Sequence, residues 1–365
     1  MADTHTLFTT LDADVIAQLA RSTWNEGVLS IYEPISYEQP DNWLTHARSH
    51  LARITSQTPH PEHLLVQAAC ERAMDVLEGV SGSAAPGRSI AAFVSLDEPH
   101  NDVWIGTDLP VRASVTLSRY PQVSQLLSLA QLATPTGIVR IAQQTAAIDE
   151  WRGGTLIPVD EHRVVVDTSG QRRKQGPATA GDGHLYRTAH HKDRFEHTLE
   201  QHGHEALTTW LIERLTSTSR QRGWHRMVLF GPNVVKQQLR DRFDRAGTTI
   251  IDAGTHELVN APRADLTQRV KDALQHHIDA DAHKLVGSIL SGQATNAVVG
   301  AEHTKQALQY RHAATLVLSD TNAADDEAER MIRQVLGTGG DVIVLRDEPA
   351  RELMAAGGVA ALLRL

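Results

Sequence analysis

The spacing of hydrophobic and polar positions is clearest towards the C-terminal end. Ala297-Val298-Val299 is an apolar run stopped by Gly300, Glu302 to Gln309 has the period of an amphipathic helix, and Ala314-Thr315-Leu316-Val317-Leu318 reads as a strand. The acids Asp325-Asp326-Glu327 open a second helix, where they complement the positive end of its dipole, and the stretch from Gly337 to Gly340 closes it. Asp341-Val342-Ile343-Val344-Leu345 predicts another strand, Pro349 a third helix ended by Gly357-Gly358, and Val359 to Leu363 a last strand. Strands alternating with helices predict a mostly parallel sheet covered on both faces.

The same reading finds helices over 12–21, over 41–54 with Asp41 as cap, and onward from Pro61. In the last of these, Leu64, Leu65, Ala68, Ala69, Met74 and Leu77 form the apolar face, and small residues from Gly79 to Gly87 break it. Strands are predicted at 27–32, 90–95, 103–106 and 111–117, and Pro135-Thr136-Gly137 marks a boundary. Beyond it, 138–148, 155–159 and 162–166 read as strands, with Gly153-Gly154 as a hairpin turn. Helices over 199–217 and 233–246 and strands over 226–231 and 248–252 follow. After Pro262, a long helix capped by Asp265 runs to about Leu290. The result is an α/β chain in three domains, over 1–135, 136–258 and 263–365, as expected for 365 residues.

Composition narrows the function classes. Aromatic residues are 4% of the chain, too few for a platform that stacks single-stranded bases, and the net charge of -9 argues against a general DNA coat. Contact with nucleic acid must come from a local basic patch. Cys70 is the only cysteine, which excludes an internal disulfide and a cysteine cage for metal, and it reads as a small buried hydrophobe. The N-terminal residues lack a signal-peptide pattern and no 18 apolar residues run together, so the expectation is a soluble cytoplasmic protein without membrane contact.

The segment from Val299-Gly300 through Thr304 to Ala307-Leu308, and the closing Gly357-Gly358-Val359-Ala360-Ala361-Leu362-Leu363-Arg364, resemble the C-terminal domain of archaeal and eukaryotic peptide release factors and of Pelota. The resemblance covers about the last fifth of the chain in detail and the rest in architecture, and it points to the bacterial release-factor-like group that includes the ribosome hibernation factor Balon and its actinobacterial relatives. It implies a ribonuclease-H-like middle domain and a C-terminal α/β sandwich resembling kink-turn-binding ribosomal proteins. As partners it implies the ribosome, at its aminoacyl-tRNA site, and elongation factor Tu or a similar GTPase. Hydrolytic release factors carry Gly-Gly-Gln, whose glycines permit unusual backbone angles and whose glutamine positions the attacking water. That motif occurs nowhere in this chain, and Thr155 follows Gly153-Gly154. No enzymatic activity is therefore expected.

Thr168 to His197 is the richest candidate site. Between Gln171 and Arg194, six cations (Arg172, Arg173, Lys174, Arg187, Lys192 and Arg194) face two acids, a local excess of four positive charges, and His190 and His191 add donors. Arg172, Arg173, Lys174, Arg187, His190, His191 and Lys192 are the expected RNA contacts, against the plain alternative of a solvated charged loop. Two histidine groups invite a metal: His190, His191, His197, His202 and His204, and His276, His277 and His283 with Asp279 and Asp281. Neither has the spacing of a zincin helix, so neither a metal nor any other cofactor is expected. Gly287 to Thr295 has Gln293 where a phosphate-binding loop needs lysine. The functional expectation is a non-catalytic ribosome-binding factor acting in hibernation or protection under stress. The alternatives are a rescue hydrolase acting on peptidyl-tRNA, a metal-dependent nuclease, and a plain scaffold.

Overall fold

The computed structural model describes residues 8–36, 40–59, 62–81, 87–142, 144–164, 205–255, 258–321 and 325–364. The chain divides into two compact units, one built from 1–134 with 277–365 and the other from 135–276.

In the first unit, the N-terminal residues form β1 (Phe8–Thr10), α1 (Ala13–Arg21), β2 (Val28–Pro34), α2 (Pro40–Gln57), α3 (His63–Ser81), β3 (Ser89–Ser95), β4 (Val103–Thr107), β5 (Ser114–Ser118) and α4 (Ser124–Ala133). The strands make a sheet in the order β1-β4-β3-β2-β5, antiparallel except for β1 on β4. Alternation along β2 sends Leu29 and Ile31 to one face, where they meet Trp43, Ala47 and Leu51 of α2 and Val66, Ala69 and Leu77 of α3. Tyr32, on the other face, donates its hydroxyl to the carbonyl of Gln122.

Several local expectations change. The buried stripe of α3 is Val66, Ala69, Cys70, Ala73, Leu77 and Val80, whereas Leu64 is 76% exposed and Ala68 also faces solvent. A helix with apolar residues at 64, 65 and 66 offers two overlapping stripes, and packing against α2 selects the second. Pro61 lies outside the described residues. Pro40, not Asp41, opens α2, in keeping with proline's fit to a first turn. The strand expected from 111 begins at Ser114.

The C-terminal part contributes the end of α7 (Arg263–Leu290), β11 (Ala297–Val299), α8 (Ala301–Gln309), β12 (Ala313–Ser319), α9 (Asp326–Gly337), β13 (Asp341–Leu345), α10 (Asp347–Ala355) and β14 (Val359–Leu363). Arg263 opens α7, so Asp265 sits inside its first turn and does not cap it. Both faces of the sheet are covered. Val317 and Ala360 pack with Val286, Ile289 and Leu353 on one side, while Leu316 and Leu318, on the other, are also fully buried. The sheet is mixed, not mostly parallel: its order is β11-β14-β12-β13, and β14 runs antiparallel to both neighbours. The reversal is set after α10, where Gly357 (φ 103°) and Gly358 (φ 74°) take left-handed angles that turn the chain directly into β14.

Within this unit the two parts interlock at helix ends. Arg21 donates to the Leu336 carbonyl (3.1 Å) and Arg333 to the Ser22 carbonyl (2.8 Å), so each arginine reaches a carbonyl at the C-terminal end of the other's helix. Glu329 accepts from the Ser124 amide (2.9 Å) at the start of α4, and Arg112 pairs with Asp320 (2.9 Å).

The second unit holds β6 (Thr136–Ile141), β7 (Thr145–Arg152), β8 (Thr155–Arg163), a helix over 205–222 (α5), β9 (Arg226–Phe230), α6 (Asn233–Phe243) and β10 (Thr249–Asp252). The sheet order is β10-β9-β6-β7-β8, with a three-stranded antiparallel meander on one side of β6 and two parallel strands on the other. This is the ribonuclease-H-like arrangement. The run expected as one strand over 138–148 is two strands, β6 ending at Ile141 and β7 starting at Thr145, and the strands expected separately over 155–159 and 162–166 are one, β8, as far as Arg163. Gly153 (φ 60°) and Gly154 (φ 98°) form a two-residue hairpin turn, with Arg152 paired to Thr155. Among the described residues, no helix is long and apolar enough to cross a membrane.

Candidate nucleic-acid interface

The expected RNA contacts Arg172, Arg173, Lys174, Arg187, His190, His191 and Lys192 lie outside the described residues, as does the histidine group from His190 to His204. What the structure shows is the frame from which that segment departs and to which it returns. β8 leads out and α5 leads back, tied together by His162 stacked on Trp210 (4.8 Å between centroids) and by Arg214 paired with Asp160 (2.5 Å). The end of β8 and the described part of α5 are therefore held against each other.

A second basic surface, which a charge count along the chain passes over, lies in the same unit. α5 ends beside the turn Gly223-Trp224-His225, and α6 ends in a short turn over Asp244–Ala246 that Gly247 closes with a left-handed φ of 77°. These two helix ends and the turn enclose a cleft of about 460 Å³. Its lining includes Arg220, His225, Arg242 and Arg245, with Ser219 and Thr248, and no acidic residue. Cations in the last turns of helices answer the negative dipole end, but that end carries only about half a charge. Arg222 and Arg240 already stand there, held by Glu150 (2.5 Å) and Asp252 (3.6 Å). Arg220, Arg242 and Arg245 are exposed and form no ion pair with any described residue. The acids of the same helix end, Asp241 and Asp244, lie outside the lining, and Asp241 accepts from Gln237 (2.8 Å).

Behind the cleft, Glu150 holds the lining residue Trp224. Its carboxylate is buried and accepts from Arg152 (2.8 Å), Arg222 (2.5 Å) and the Trp224 indole (3.2 Å). Burial by itself would push this carboxyl up, and the three donors outweigh it, leaving it below its ordinary value. Trp224, which lines the cleft, is thus fixed from behind. On the neighbouring strand position Arg140 binds Asp149 (2.9 Å) and the carbonyls of Leu258 and Val259. Arg140 and Arg222 are therefore structural, whereas Arg220, Arg242 and Arg245 are available to a ligand.

The histidines at the start and middle of the C-terminal part do not converge. His277 pairs with Asp281 on its own helix (3.4 Å), and His283 reaches Glu348 (3.7 Å) and Glu352 (3.8 Å). Among the described residues one group has the geometry to hold a metal, Glu33 with His46 and His50, and the separation of its members along the chain hides it from a search for closely spaced ligands.

The ribonuclease-H-like sheet, with a basic cleft at its helix ends, falls in a stretch of this chain that is similar to release-factor-like proteins. Residues 121–275, which contain the whole of that sheet, match the model of bacterial archaeo-eukaryotic release factor family 10. The pelota homolog of Pyrobaculum calidifontis is 30% identical over 143 residues, 38% of this chain and 42% of that protein. The pelota homolog of Methanocaldococcus jannaschii is 32% identical over 111 residues, 28% of this chain and 32% of that protein. The chain thus matches less than half the length of these curated relatives. Among solved structures, ribosome-bound archaeal Pelota with ABCE1 superposes with a TM-score of 0.41 at 16% identity, over 76% of this chain and 77% of that one.

Proposed function

We propose that this protein is a non-catalytic factor that binds the ribosome near the aminoacyl-tRNA site and occupies or protects it during dormancy or stress, in the cytoplasm. The observation that carries the reading is the cleft of unpaired arginines, which lies inside the region matching a release-factor family. Three guanidiniums without acidic partners give affinity for phosphates irrespective of base sequence, as contact with a folded RNA requires. The basic residues 172–174, carried between β8 and α5, supply a second contact on the same reading. The pelota homologs support the assignment to translation. The non-catalytic part rests on the Gly153-Gly154 hairpin, which presents Thr155 where a hydrolytic loop would present glutamine.

The test is ribosome binding by the full chain across a salt series. The triple variant Arg220→Ala, Arg242→Ala, Arg245→Ala should flatten the log-log salt dependence by roughly 0.7 to 0.9 for each phosphate that no longer meets a guanidinium. Melting temperature should fall only slightly, since exposed cations near helix C-terminal ends contribute about 0.3 to 1 kcal/mol each. The variant Arg172→Ala, Arg173→Ala, Lys174→Ala should flatten it independently. An unchanged slope in both would remove the reading. Non-catalysis is checked by release of labelled peptide from peptidyl-tRNA on ribosomes, where the protein should not exceed the control. A translational GTPase, with elongation factor Tu the first candidate, should be retained on the immobilised full chain from lysate; its consistent absence from ribosome-bound samples would remove that partner.

A further inference from the structure

The face of β2 that carries Leu29 and Ile31 ends in Glu33, so strand alternation aims a carboxylate into the layer between the sheet and α2. Glu33 is 1% exposed, and its backbone is locked in register opposite Ile90. Neither carboxylate oxygen has a hydrogen-bond partner among the described residues, and the Nδ1 of His50 is likewise buried and unpartnered. A buried carboxylate without donors is costly and is normally paired with cations or a metal. Across from it, α2 presents His46 and His50, one helical turn apart and therefore on one face, with ring centroids 4.1 Å apart. The Nδ1 of His46 stands 3.6 Å from one oxygen of Glu33 and the Nδ1 of His50 stands 4.0 Å from the other. Both distances exceed a hydrogen bond.

We propose that Glu33, His46 and His50 form a binding site for one divalent transition-metal ion, with zinc the preferred occupant. One ligand atom from each residue lies within 4.8 Å of the others. Ligands about 2.0 to 2.2 Å from a tetrahedral zinc lie somewhat closer together than that, so modest side-chain rotation closes the site. Two imidazoles with one carboxylate suit zinc and its transition-metal neighbours, whereas magnesium and calcium prefer oxygen ligands throughout. Half-exposed His46 gives the ion a route in, and three protein ligands leave a further position for water or an external group. The ion would answer the buried carboxylate and tie α2 to β2 at the edge of the N-terminal core.

The full-length protein, stripped with chelator and dialysed, is titrated with zinc chloride against a chromophoric competitor, beside His46→Ala and His50→Ala. The chain contains 20 histidines, so the informative quantity is the difference between wild type and variants. Wild type should bind one equivalent more tightly than either variant by at least about 100-fold, because loss of an outer-sphere partner alone costs about 10- to 100-fold. Zinc should raise the melting temperature of wild type and not that of His46→Ala, whose half-exposed side chain can be removed without loss of the fold. Cobalt should give visible bands from a nitrogen and oxygen ligand set in wild type only. Equal zinc affinity and stoichiometry in wild type and both variants, or no saturable equivalent in wild type, would overturn the site.

Discussion

Replacing Glu329 by glutamine should stabilise the protein at pH 8 by up to about 3 kcal/mol, a size set by the roughly 1.4 kcal/mol that each tenfold change in proton affinity represents. At pH 4 the substitution should leave stability almost unchanged. Glu329 is 2% exposed, and burial pushes its carboxyl up to about 7 from 4.5, despite the hydrogen bond from Ser124. Between those two values the folded chain holds a proton that the unfolded chain has released. Stability therefore falls as pH rises through this window and stays low above it. Below 4.5 both states are protonated and the penalty vanishes. Glutamine keeps an oxygen to accept from the Ser124 amide but cannot ionise. Hydrogen exchange of peptides from the first unit, measured from pH 4 to 8 in both proteins, reads the difference. Parallel pH profiles for wild type and Glu329→Gln would show that Glu329 is not the group responsible.

Elements whose burial is decided locally are legible in the sequence. β3 and β12 are continuous apolar runs, and the helices over 12–21 and 326–337 carry well-separated polar and apolar faces. Legibility fails where tertiary packing chooses between equivalent local patterns. Leu64 and Val66 lie on different faces of α3, and only the neighbouring α2 determines which is inside. Between β6 and β7 the sequence has neither glycine nor proline, and the short polar run Gln143-Gln144-Thr145 marks the break without the residues that usually signal a turn. α4, with the sequence Ser-Gln-Leu-Leu-Ser-Leu-Ala-Gln-Leu-Ala, escapes a periodicity reading because most of its positions are apolar and no single stripe stands out. The direction of β14 is equally hidden, since alternating strands and helices count elements without fixing the orientation of the last one.

The candidate sites are less legible for the same physical reason. A charge count along the chain finds residues 171–194, where cations are contiguous, and passes over Arg220, Arg242 and Arg245, which Asp241 and Asp244 dilute in sequence. Folding removes that dilution: the two helix ends meet, and the acids turn away from the cleft. Glu33 and its histidines are likewise brought together by a strand and a helix, and a search for closely spaced ligands cannot register a carboxylate 13 residues before the first imidazole.

Glu150→Ala should unfold or loosen the second unit selectively, costing about 3 kcal/mol, the low end of the roughly 3 to 5 kcal/mol for removing one partner from a fully buried ion pair. The residue is 1% exposed and its carboxylate holds three donors at once. Arg152 and Arg222, each 39% exposed, can turn to water when the carboxylate is gone, which keeps the cost low. The Trp224 indole cannot escape in this way; its unpaired N–H accounts for about 1 to 3 kcal/mol of the total. Because Trp224 lines the basic cleft, the variant should also weaken the ribosome binding proposed above without removing any cleft arginine. The pH response is opposite in sign to that of Glu329. A carboxyl held below its ordinary value stabilises the fold above the unfolded value of 4.5 and loses that contribution as pH falls through the folded one. Acid should therefore loosen the second unit through Glu150 while relieving the first through Glu329. Hydrogen exchange resolved by peptide separates the two: in Glu150→Ala at neutral pH, protection should drop across β6, β7, β9 and α5 and hold in β2, β3 and β12. A uniform loss of protection over both units would show that Glu150 supports the whole chain, and undiminished protection in β7 and β9 would show that the network around it contributes little.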